Sequence, residues 1–230
     1  VGNPGIIAVA DAIVKGLPGI DRERAYQALL TTAADTARGG ALREKYGYIP
    51  CDLMNEAIAY DMEYAIADGA IAQAAKAMGD TATFRKFNER SHSYRNYFDP
   101  TTGFIRGRFA DGSWRTPFDP NATTHRMDDY CEGNAWQYTW LVPQDIDGLQ
   151  ECFGSREKTI QALDQLFTTS SELTGDDASP DITGLIGQYA HGNEPSHHTV
   201  YFYTMLGQPD KAADIIRKVY SDFYTVHPDG

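Results

Sequence analysis

The segment Asn55-Glu-Ala-Ile-Ala-Tyr-Asp-Met-Glu-Tyr-Ala-Ile-Ala-Asp-Gly-Ala-Ile-Ala-Gln-Ala-Ala-Lys-Ala-Met-Gly79 is the longest helical pattern in the chain. Its larger apolar residues recur at helical spacing, and Gly79 stands where a helix would end. The apolar side consists of Ile58, Met62, Ala65, Ile66, Ile71, Ala74, Ala75 and Met78. Because alanine side chains are small, another helix can approach this one closely. We therefore predict a long helix packed against a neighbouring helix.

Shorter helical patterns lie on both sides of this segment. The stretch Ile6–Lys15 predicts a short buried helix, and Asp21 is placed to cap a second helix that Gly39-Gly40 would end. Downstream, Asp80 is placed to cap a helix whose apolar positions continue at three- and four-residue steps to Phe98. Together with the long segment, the downstream helix predicts an antiparallel helix pair.

The rest of the chain alternates polar loops with further helical patterns. Residues 99–124 are rich in turn-forming residues and contain little that resembles a strand. The helices predicted after this loop are Asn134–Val142, Gln144–Phe153, one capped by Ser155, one from near Pro195 to Gly207, and Pro209–Tyr224. The pattern therefore predicts an all-α fold, an array or toroid of helix pairs with long irregular loops.

Composition excludes some classes of partner. The 230 residues carry a formal net charge of -12, and the lysines and arginines are scattered rather than clustered. A nucleic-acid surface is not expected, because phosphate binding needs clustered basic side chains. No apolar run approaches the roughly 18 residues that a membrane span requires. The acidic balance is compatible with a neutral polyhydroxy substrate or a bound cation.

The densest group of chemically capable residues lies in the stretch 127–143. The carboxylates of Asp128, Asp129 and Glu132 are followed there by the aromatic side chains of Trp136, Tyr138 and Trp140. Sugar rings pack their C–H faces on aromatic rings and bond their hydroxyls to carboxylates and amides. We expect Gly133 to provide the backbone turn between the two groups. The stretch therefore predicts a sugar-binding site with a carboxylic acid that can act on the glycosidic bond.

Each of these residues also has a structural interpretation. Glu132 is the candidate general acid, although a carboxylate at this position also stabilises the start of a helix. For Asp128 and Asp129 we expect solvated or capping roles. Trp136 and Trp140 fit helix-face core packing, which leaves Tyr138 as the expected sugar platform.

A second cluster of polar side chains follows near residue 190. It contains His191, Asn193, Glu194, His197 and His198. Histidines are good zinc ligands, but the spacing here matches neither His-Glu-x-x-His nor His-x-x-Glu-His. The oxygens of Asn193 and Glu194 suit calcium, and the histidines would then donate to substrate hydroxyls. The third interpretation is that the histidines have a structural role and make their hydrogen bonds within the protein.

Two stretches resemble the central signatures of glycoside hydrolase family 92, the calcium-dependent exo-acting α-mannosidases. They are Tyr130-Cys-Glu-Gly-Asn-Ala-Trp-Gln-Tyr-Thr-Trp140 and Gly187-Gln-Tyr-Ala-His-Gly-Asn-Glu-Pro-Ser-His-His198. The resemblance extends to Ala72-Gln-Ala-Ala-Lys-Ala-Met-Gly79, Phe98-Asp-Pro-Thr-Thr-Gly-Phe-Ile-Arg-Gly107 and Thr116-Pro-Phe-Asp-Pro120.

The resemblance implies an architecture for the whole protein. Members of that family have an N-terminal β-sandwich followed by an (α/α)6 barrel, so residues 1–230 would form part of the barrel. The incomplete barrel would have long irregular loops, with the β-sandwich and the C-terminal end of the barrel absent from this chain. A periplasmic, extracellular or cell-surface location is also implied.

The resemblance further implies roles for individual residues. Glu132 would protonate the leaving oxygen, and Asn193 and Glu194 would hold Ca²⁺. The substrate would be a mannose-containing glycan, by default α-1,2-linked, with the mannose contacted by Trp136, Gln137, Tyr138, His191, Glu194, His197 and His198. Because the family inverts the anomeric centre, a separate base is needed. That base is expected beyond residue 230, so we expect this chain alone to be inactive.

Two alternatives stay open from the sequence. A non-catalytic glycan-binding or scaffold barrel would keep the aromatic side chains but would not need Glu132 as an acid. A zinc-dependent hydrolase would instead use His191, His197 and His198 and would work without calcium.

Overall fold

The computed structural model describes residues 2–227, and it is mostly helical. In chain order the α-helices are α1 Pro4–Lys15, α2 Arg22–Ala33, α3 Gly40–Tyr46, α4 Ala57–Met78, α5 Thr81–Arg90, α6 Ala135–Tyr138, α7 Ile146–Phe153, α8 Arg156–Thr168, α9 Phe202–Met205 and α10 Pro209–Phe223. Three short 3₁₀ helices, Ser93–Asn96, Glu194–Ser196 and Thr199–Tyr201, lie between them. The prediction of a mainly helical chain with long loops is confirmed.

Among the described residues, six short strands occupy the loops. They are β1 Phe98–Asp99, β2 Phe104–Ile105, β3 Ala122–Thr124, β4 Thr174–Asp177, β5 Leu185–Ile186 and β6 Tyr189–Ala190. The chain divides into two compact units. The first unit comprises residues 2–98, 105–118 and 126–131, and the second comprises residues 99–104, 119–125 and 132–227.

The long helix α4 organises the first unit, as the sequence predicts. It ends at Gly79, which adopts the left-handed conformation with φ 78°. Helices α1, α2 and α5 pack with α4 around one apolar core. The core includes Ile6, Ala10, Ile13, Tyr26, Leu29, Ala67, Ile71, Ala74, Ala75 and Phe87. The small side chains of α4 line this core, in agreement with the expected close helix contacts.

Helix α3 was not expected from the sequence. Its Arg43 is buried and bonds the carboxylates of Asp61 and Asp68, both of which project from α4. Asp61 also accepts hydrogen bonds from the backbone N–H of Ile49 at 2.9 Å and the hydroxyl of Tyr97 at 2.8 Å. Every buried charge in this group therefore has a partner, as burial requires.

Two predicted helix boundaries in this unit are wrong. Helix α2 ends at Ala33 rather than at Gly39-Gly40, because the Asp35 side chain accepts a hydrogen bond from the backbone N–H of Ala37 and forms a turn. Helix α5 ends at Arg90 rather than near Phe98. There the Ser91 hydroxyl donates to the carbonyl of Asn88 at 2.7 Å, an alternative to continuing the helix.

The second unit contains α6 to α10 and two paired sets of strands. Strand β3 pairs in parallel with β4, and β5 pairs antiparallel with β6 in a tight hairpin. Gly187 lies in the hairpin turn with φ 59°, and a Cβ there would lie 2.2 Å from the carbonyl oxygen of Leu166. The hairpin thus leads directly into residues 191–194. The predicted helix from Pro195 to Gly207 is instead two 3₁₀ turns followed by α9.

Within residues 2–227, no helix combines the length and the apolarity that crossing a lipid bilayer would require.

Candidate functional site

Glu132 lies in a strained turn of the second unit. Its φ of 55° is in the left-handed region, which residues other than glycine rarely adopt. The sequence predicts a turn at Gly133, and the chain does bend at residues 131–133, but the left-handed φ is at Glu132 and not at Gly133. Glycine is needed at 133 for space instead, since a Cβ there would lie 2.9 Å from the Tyr138 ring. Unusual backbone of this kind concentrates at functional sites.

Asn134 fixes the chain that follows Glu132. Its side-chain oxygen accepts a hydrogen bond from the backbone N–H of Trp136 at 3.0 Å, and its own N–H donates to Oε1 of Gln137 at 2.7 Å. This reciprocal capping box starts helix α6. The other end of the Gln137 amide donates to the carbonyl of Gln188 at 2.5 Å. Both ends of the Gln137 side chain are therefore committed to holding the backbone.

The aromatic side chains at positions 136, 138 and 140 lie in different environments. Trp136 is half-buried, donates from Nε1 to Oδ1 of Asn121 at 2.8 Å and meets Phe104 edge to face, with 4.8 Å between ring centres. Trp140 is 2% exposed and is a core residue, as expected. Tyr138 is only 8% exposed, so the expectation that it forms the sugar platform does not match the structure. The predicted helix ends after four residues, which is too short to present a separate outward face.

A small cavity opens beside Trp136. It has a volume of about 200 Å³, and its aromatic wall is formed by Phe104, Trp136, Trp140 and Phe153. Lys158 and Gln161 of α8 also line it and add polar groups. Aromatic surface with a few polar groups is typical of a site for a small polar molecule.

Asn193 connects the second sequence cluster to Glu132. Its Nδ2 donates to the backbone carbonyl oxygen of Glu132 at 3.1 Å and to the carboxylate Oε2 of Glu132 at 3.3 Å. Asn193 is buried, with 7% exposure, and the neighbouring Glu194 is exposed at the start of a 3₁₀ helix. The structure therefore brings together two of the predicted site residues that are 61 positions apart.

His191 and His197 form a stacked pair, with 4.6 Å between ring centres. The ring nitrogens of His191 bond two hydroxyls, Nδ1 that of Tyr189 at 3.0 Å and Nε2 that of Tyr224 at 2.9 Å. His197 is exposed and bonds the carbonyl oxygen of His191 through Nε2 at 2.9 Å. Burial, followed by the proximity of His197, lowers the pKa of His191. Neutral imidazole is therefore favoured at position 191.

His198 has a separate environment. Its Nε2 is 2.7 Å from the carbonyl oxygen of Trp140, which can only accept, so Nε2 carries the hydrogen. Burial lowers the pKa of the His198 imidazole. A neutral His198 therefore links the 3₁₀ turns near residue 198 to the segment that follows helix α6.

The donor groups do not make a complete metal site. Among residues 2–227, no three His, Cys, Asp or Glu side chains lie close enough together to bind a metal ion. Calcium takes six to eight oxygen ligands, whereas Asn193 and Glu194 offer a small part of that number. The described residues therefore do not fit a calcium site by themselves, and the same finding gives no support to zinc at His191, His197 and His198.

Sequence reasoning missed two amide residues that organise this region. Asn121 accepts from the Trp136 indole, and the buried Gln188 accepts from Nδ2 of Asn134 at 3.1 Å. Gln188 also donates to the carbonyls of Ser170 and Glu172. Only the place of Gln188 in the stretch 187–198 could have drawn attention to it, because a buried amide has no distinctive local pattern.

Comparison with known proteins places these observations in a family. The chain is similar to a solved family GH92 α-mannosidase from Bacteroides thetaiotaomicron in complex with mannoimidazole, with 41% identity, a TM-score of 0.91 and 99% of the chain covered. It is similar to a solved family GH92 inverting mannosidase from Bacteroides thetaiotaomicron VPI-5482, with 31% identity, a TM-score of 0.84 and 100% covered. It is 25% identical, over 92% of its length, to an uncharacterized secreted glycosidase of Arthroderma benhamiae.

The chain is shorter than these relatives. It spans 30% of the mannoimidazole-bound mannosidase, 33% of the inverting mannosidase and 30% of the fungal glycosidase. The family model described as the glycosyl hydrolase family 92 catalytic domain matches residues 1–230. This chain therefore belongs to glycosyl hydrolase family 92.

Proposed function

We propose that the protein containing this chain is an exo-acting α-mannosidase that removes terminal α-linked mannose from glycans with inversion, by default at α-1,2 linkages. The observation that carries the proposal is the strained Glu132 bonded by Asn193, each from one of the two signature stretches. Two solved relatives, an α-mannosidase bound to mannoimidazole and an inverting mannosidase, support this substrate class and outcome.

In the proposed reaction Glu132 acts as the general acid. Its carboxylic acid gives a proton to the glycosidic oxygen as the bond between that oxygen and the anomeric carbon breaks. The oxygen of a water molecule bonds to the anomeric carbon from the opposite face, and a base takes the proton of that water. The products are free mannose and the shortened glycan. We place the base in another part of the whole protein, because this chain spans only about a third of the solved mannosidases.

The site geometry changes the predicted sugar contacts. We propose Trp136 as the aromatic surface for mannose, because it is half-buried whereas Tyr138 is buried. Glu194 and His197 are exposed and remain proposed hydroxyl-binding residues. Gln137, His191 and His198 have their polar atoms bonded to backbone carbonyls, a backbone N–H or tyrosine hydroxyls, so we propose that they order the site.

We also propose the family architecture for the whole protein. Residues 1–230 would be part of an (α/α)6 catalytic barrel, completed by the rest of its own polypeptide together with a β-sandwich domain. The mainly helical chain and its coverage of about a third of the solved mannosidases support this arrangement. A periplasmic, extracellular or cell-surface location is supported by the fungal relative, which is named as secreted.

Calcium remains a proposal based on the resemblance to the family. When bound, Ca²⁺ would supply positive charge for coordinating substrate hydroxyls. Because the described residues offer few oxygens at Asn193 and Glu194, most ligands would have to come from substrate, water or other parts of the protein.

The test is mannose release from α-linked mannobioses by the full-length protein, with and without EGTA, beside its Glu132→Gln variant. We expect EGTA to abolish activity and Glu132→Gln to lower kcat by about 10²- to 10⁴-fold, the range for loss of a general acid. Proton NMR of the released sugar should show the β-anomer first.

Other outcomes would point to the alternatives. Full activity of Glu132→Gln would remove Glu132 from the reaction. Activity that is lost in EGTA and restored by Zn²⁺ but not by Ca²⁺ would favour a zinc hydrolase, and glycan binding without hydrolysis would favour a binding barrel.

A further inference from the structure

The strained backbone of Glu132 requires something to hold it. A residue other than glycine in the left-handed region costs about 1–3 kcal/mol and persists only where the surroundings over-determine it. The side-chain amide of Asn193 contacts two oxygens of Glu132, the backbone carbonyl and the carboxylate Oε2. The N–H₂ group of Asn193 therefore ties the direction of the Glu132 side chain to the conformation of the Glu132 backbone.

Asn193 is itself fixed on both sides. Its backbone carbonyl accepts from Ser196 at 3.1 Å, which begins the 3₁₀ turn that follows. The preceding Gly192 donates to the carbonyl of Thr183 at 2.9 Å, and a Cβ on Gly192 would collide with the Thr183 side chain. The amide of Asn193 therefore projects from a loop whose backbone has little freedom to move.

We propose that Asn193 is a positioning residue for the acid: it holds Glu132 in its strained conformation and selects which carboxyl oxygen delivers the proton. This rests on the proposed function. In a carboxylic acid the carbonyl oxygen is the better acceptor, so a donor on Oε2 makes Oε2 the carbonyl oxygen. The transferable proton is then on Oε1, and it passes from Oε1 to the glycosidic oxygen as the glycosidic bond breaks.

This role differs from the calcium-ligand role predicted for Asn193 from the sequence. A metal ligand would act through the side-chain oxygen, whereas the positioning role uses the side-chain N–H₂ group. The two roles therefore separate in Asn193→Asp, which keeps an oxygen and the side-chain size but removes the donor.

The experiment uses the full-length enzyme and two substrates, an α-mannobiose and 2,4-dinitrophenyl α-mannoside. The dinitrophenolate departs without protonation, so this substrate does not depend on a general acid. We expect Asn193→Ala and Asn193→Asp to lower kcat on the mannobiose by about 10²-fold, within the range for general acid catalysis. On the dinitrophenyl substrate the loss should stay below about tenfold. The calcium concentration for half-maximal activity should not change.

Several results would overturn the positioning role. Equal losses on both substrates would assign Asn193 to substrate binding or to general structure. If Asn193→Ala raises the calcium concentration for half-maximal activity and Asn193→Asp has the wild-type value, Asn193 is a metal ligand. Wild-type activity in Asn193→Asp would show that donation to Glu132 is not needed. Thermal denaturation of each variant separates these results from simple unfolding.

The proposed function fails in a different way. If Glu132→Gln itself loses no more activity on the mannobiose than on the dinitrophenyl substrate, Glu132 is not the acid. Glu132→Gln could also lose more activity on the mannobiose than on the dinitrophenyl substrate while neither Asn193 variant shows this difference. That result would refute only the positioning role.

Discussion

The imidazole of His198 donates from Nε2 to the backbone carbonyl oxygen of Trp140, with 2.7 Å between the two atoms. Trp140 is almost fully buried and its ring stacks on Phe153, with 5.5 Å between ring centres. The hydrogen bond therefore anchors the 3₁₀ turns near residue 198 to the core of the second unit. Because burial lowers the pKa of His198, this bond involves a neutral ring under ordinary conditions.

The lowered pKa of His198 predicts a pH dependence of stability. The unfolded chain takes up a proton near the ordinary pKa of 6.5, while the folded chain resists it to lower pH. The contribution of His198 to stability is therefore complete above about pH 6.5 and is lost as the pH falls below it. His198→Gln keeps a donor but does not titrate, so we expect thermal denaturation to show a smaller loss between pH 6.5 and 5. The exposed His227→Gln is the control for removal of a histidine. An unchanged slope in His198→Gln would contradict this role.

The hairpin turn at Gly187 predicts a matched pair of glycine variants. Gly16 and Gly187 have nearly the same φ, 62° and 59°, but a Cβ meets nothing within 4 Å at Gly16 and a backbone oxygen at 2.2 Å at Gly187. Gly16→Ala should therefore cost about 1 kcal/mol from conformation alone. Gly187→Ala adds a backbone collision, and we expect a total cost of roughly 3 kcal/mol. Equal shifts in denaturation midpoint for the two variants would argue against the close approach to Leu166.

The buried carboxylate of Asp61 predicts a large stability effect. Asp61 is fully buried and bonds Arg43, Ile49 and Tyr97. Asp61→Asn leaves Arg43 with Asp68, which it shares with Arg90, as its remaining carboxylate, and loss of one charged partner from a buried group costs about 3–5 kcal/mol. The control Asp11→Asn removes the exposed Asp11–Lys15 pair and should change stability little. Chemical denaturation of both variants checks the difference, and similar midpoints would show that the Arg43 group is unimportant for stability.

The different environments of Trp136 and Trp140 predict different kinetic effects. If Trp136 packs on mannose, Trp136→Ala should raise KM for the mannobiose by about tenfold, whereas Trp136→Phe should keep most of the affinity because an aromatic face remains. Trp140→Phe should lower the denaturation midpoint without a specific rise in KM, since Trp140 is in the core. A rise in KM in Trp140→Phe alone would reverse the assignment. Steady-state kinetics with thermal denaturation of each variant distinguishes these cases.

The sequence predicts those parts of the fold that depend on local contacts. Asp21, Asp80 and Ser155 cap helices as expected, because each side chain bonds a backbone N–H three residues ahead. Helix α3 could not be predicted in this way. It depends on Arg43 meeting Asp61 and Asp68, which lie 18 and 25 residues away. A local pattern contains no information about such partners.

In the candidate site, too, the local sequence predicts some features, whereas contacts between distant residues decide others. The stretch around Glu132 identifies a carboxylate beside aromatic residues, but the assignment of the turn to Gly133 relied on the usual preference of glycine. The structure places the unusual φ at Glu132, where contacts with Asn193, distant in sequence, support it. The choice between Tyr138 and Trp136 also depended on tertiary burial, because α6 is too short for helical periodicity to define a face.

If Glu132 is the acid that we propose, its left-handed conformation places stability and activity in conflict at one position. Glycine would adopt this backbone without the steric cost that any other side chain meets. Glu132→Gly would also lose the carboxylate contact with Asn193, yet relief of the backbone could offset that loss. A laboratory selection for heat resistance alone would then enrich a sequence that folds well and cannot protonate a substrate. Under the proposed function, glutamate is therefore needed at this position for its chemistry and not for its contribution to stability.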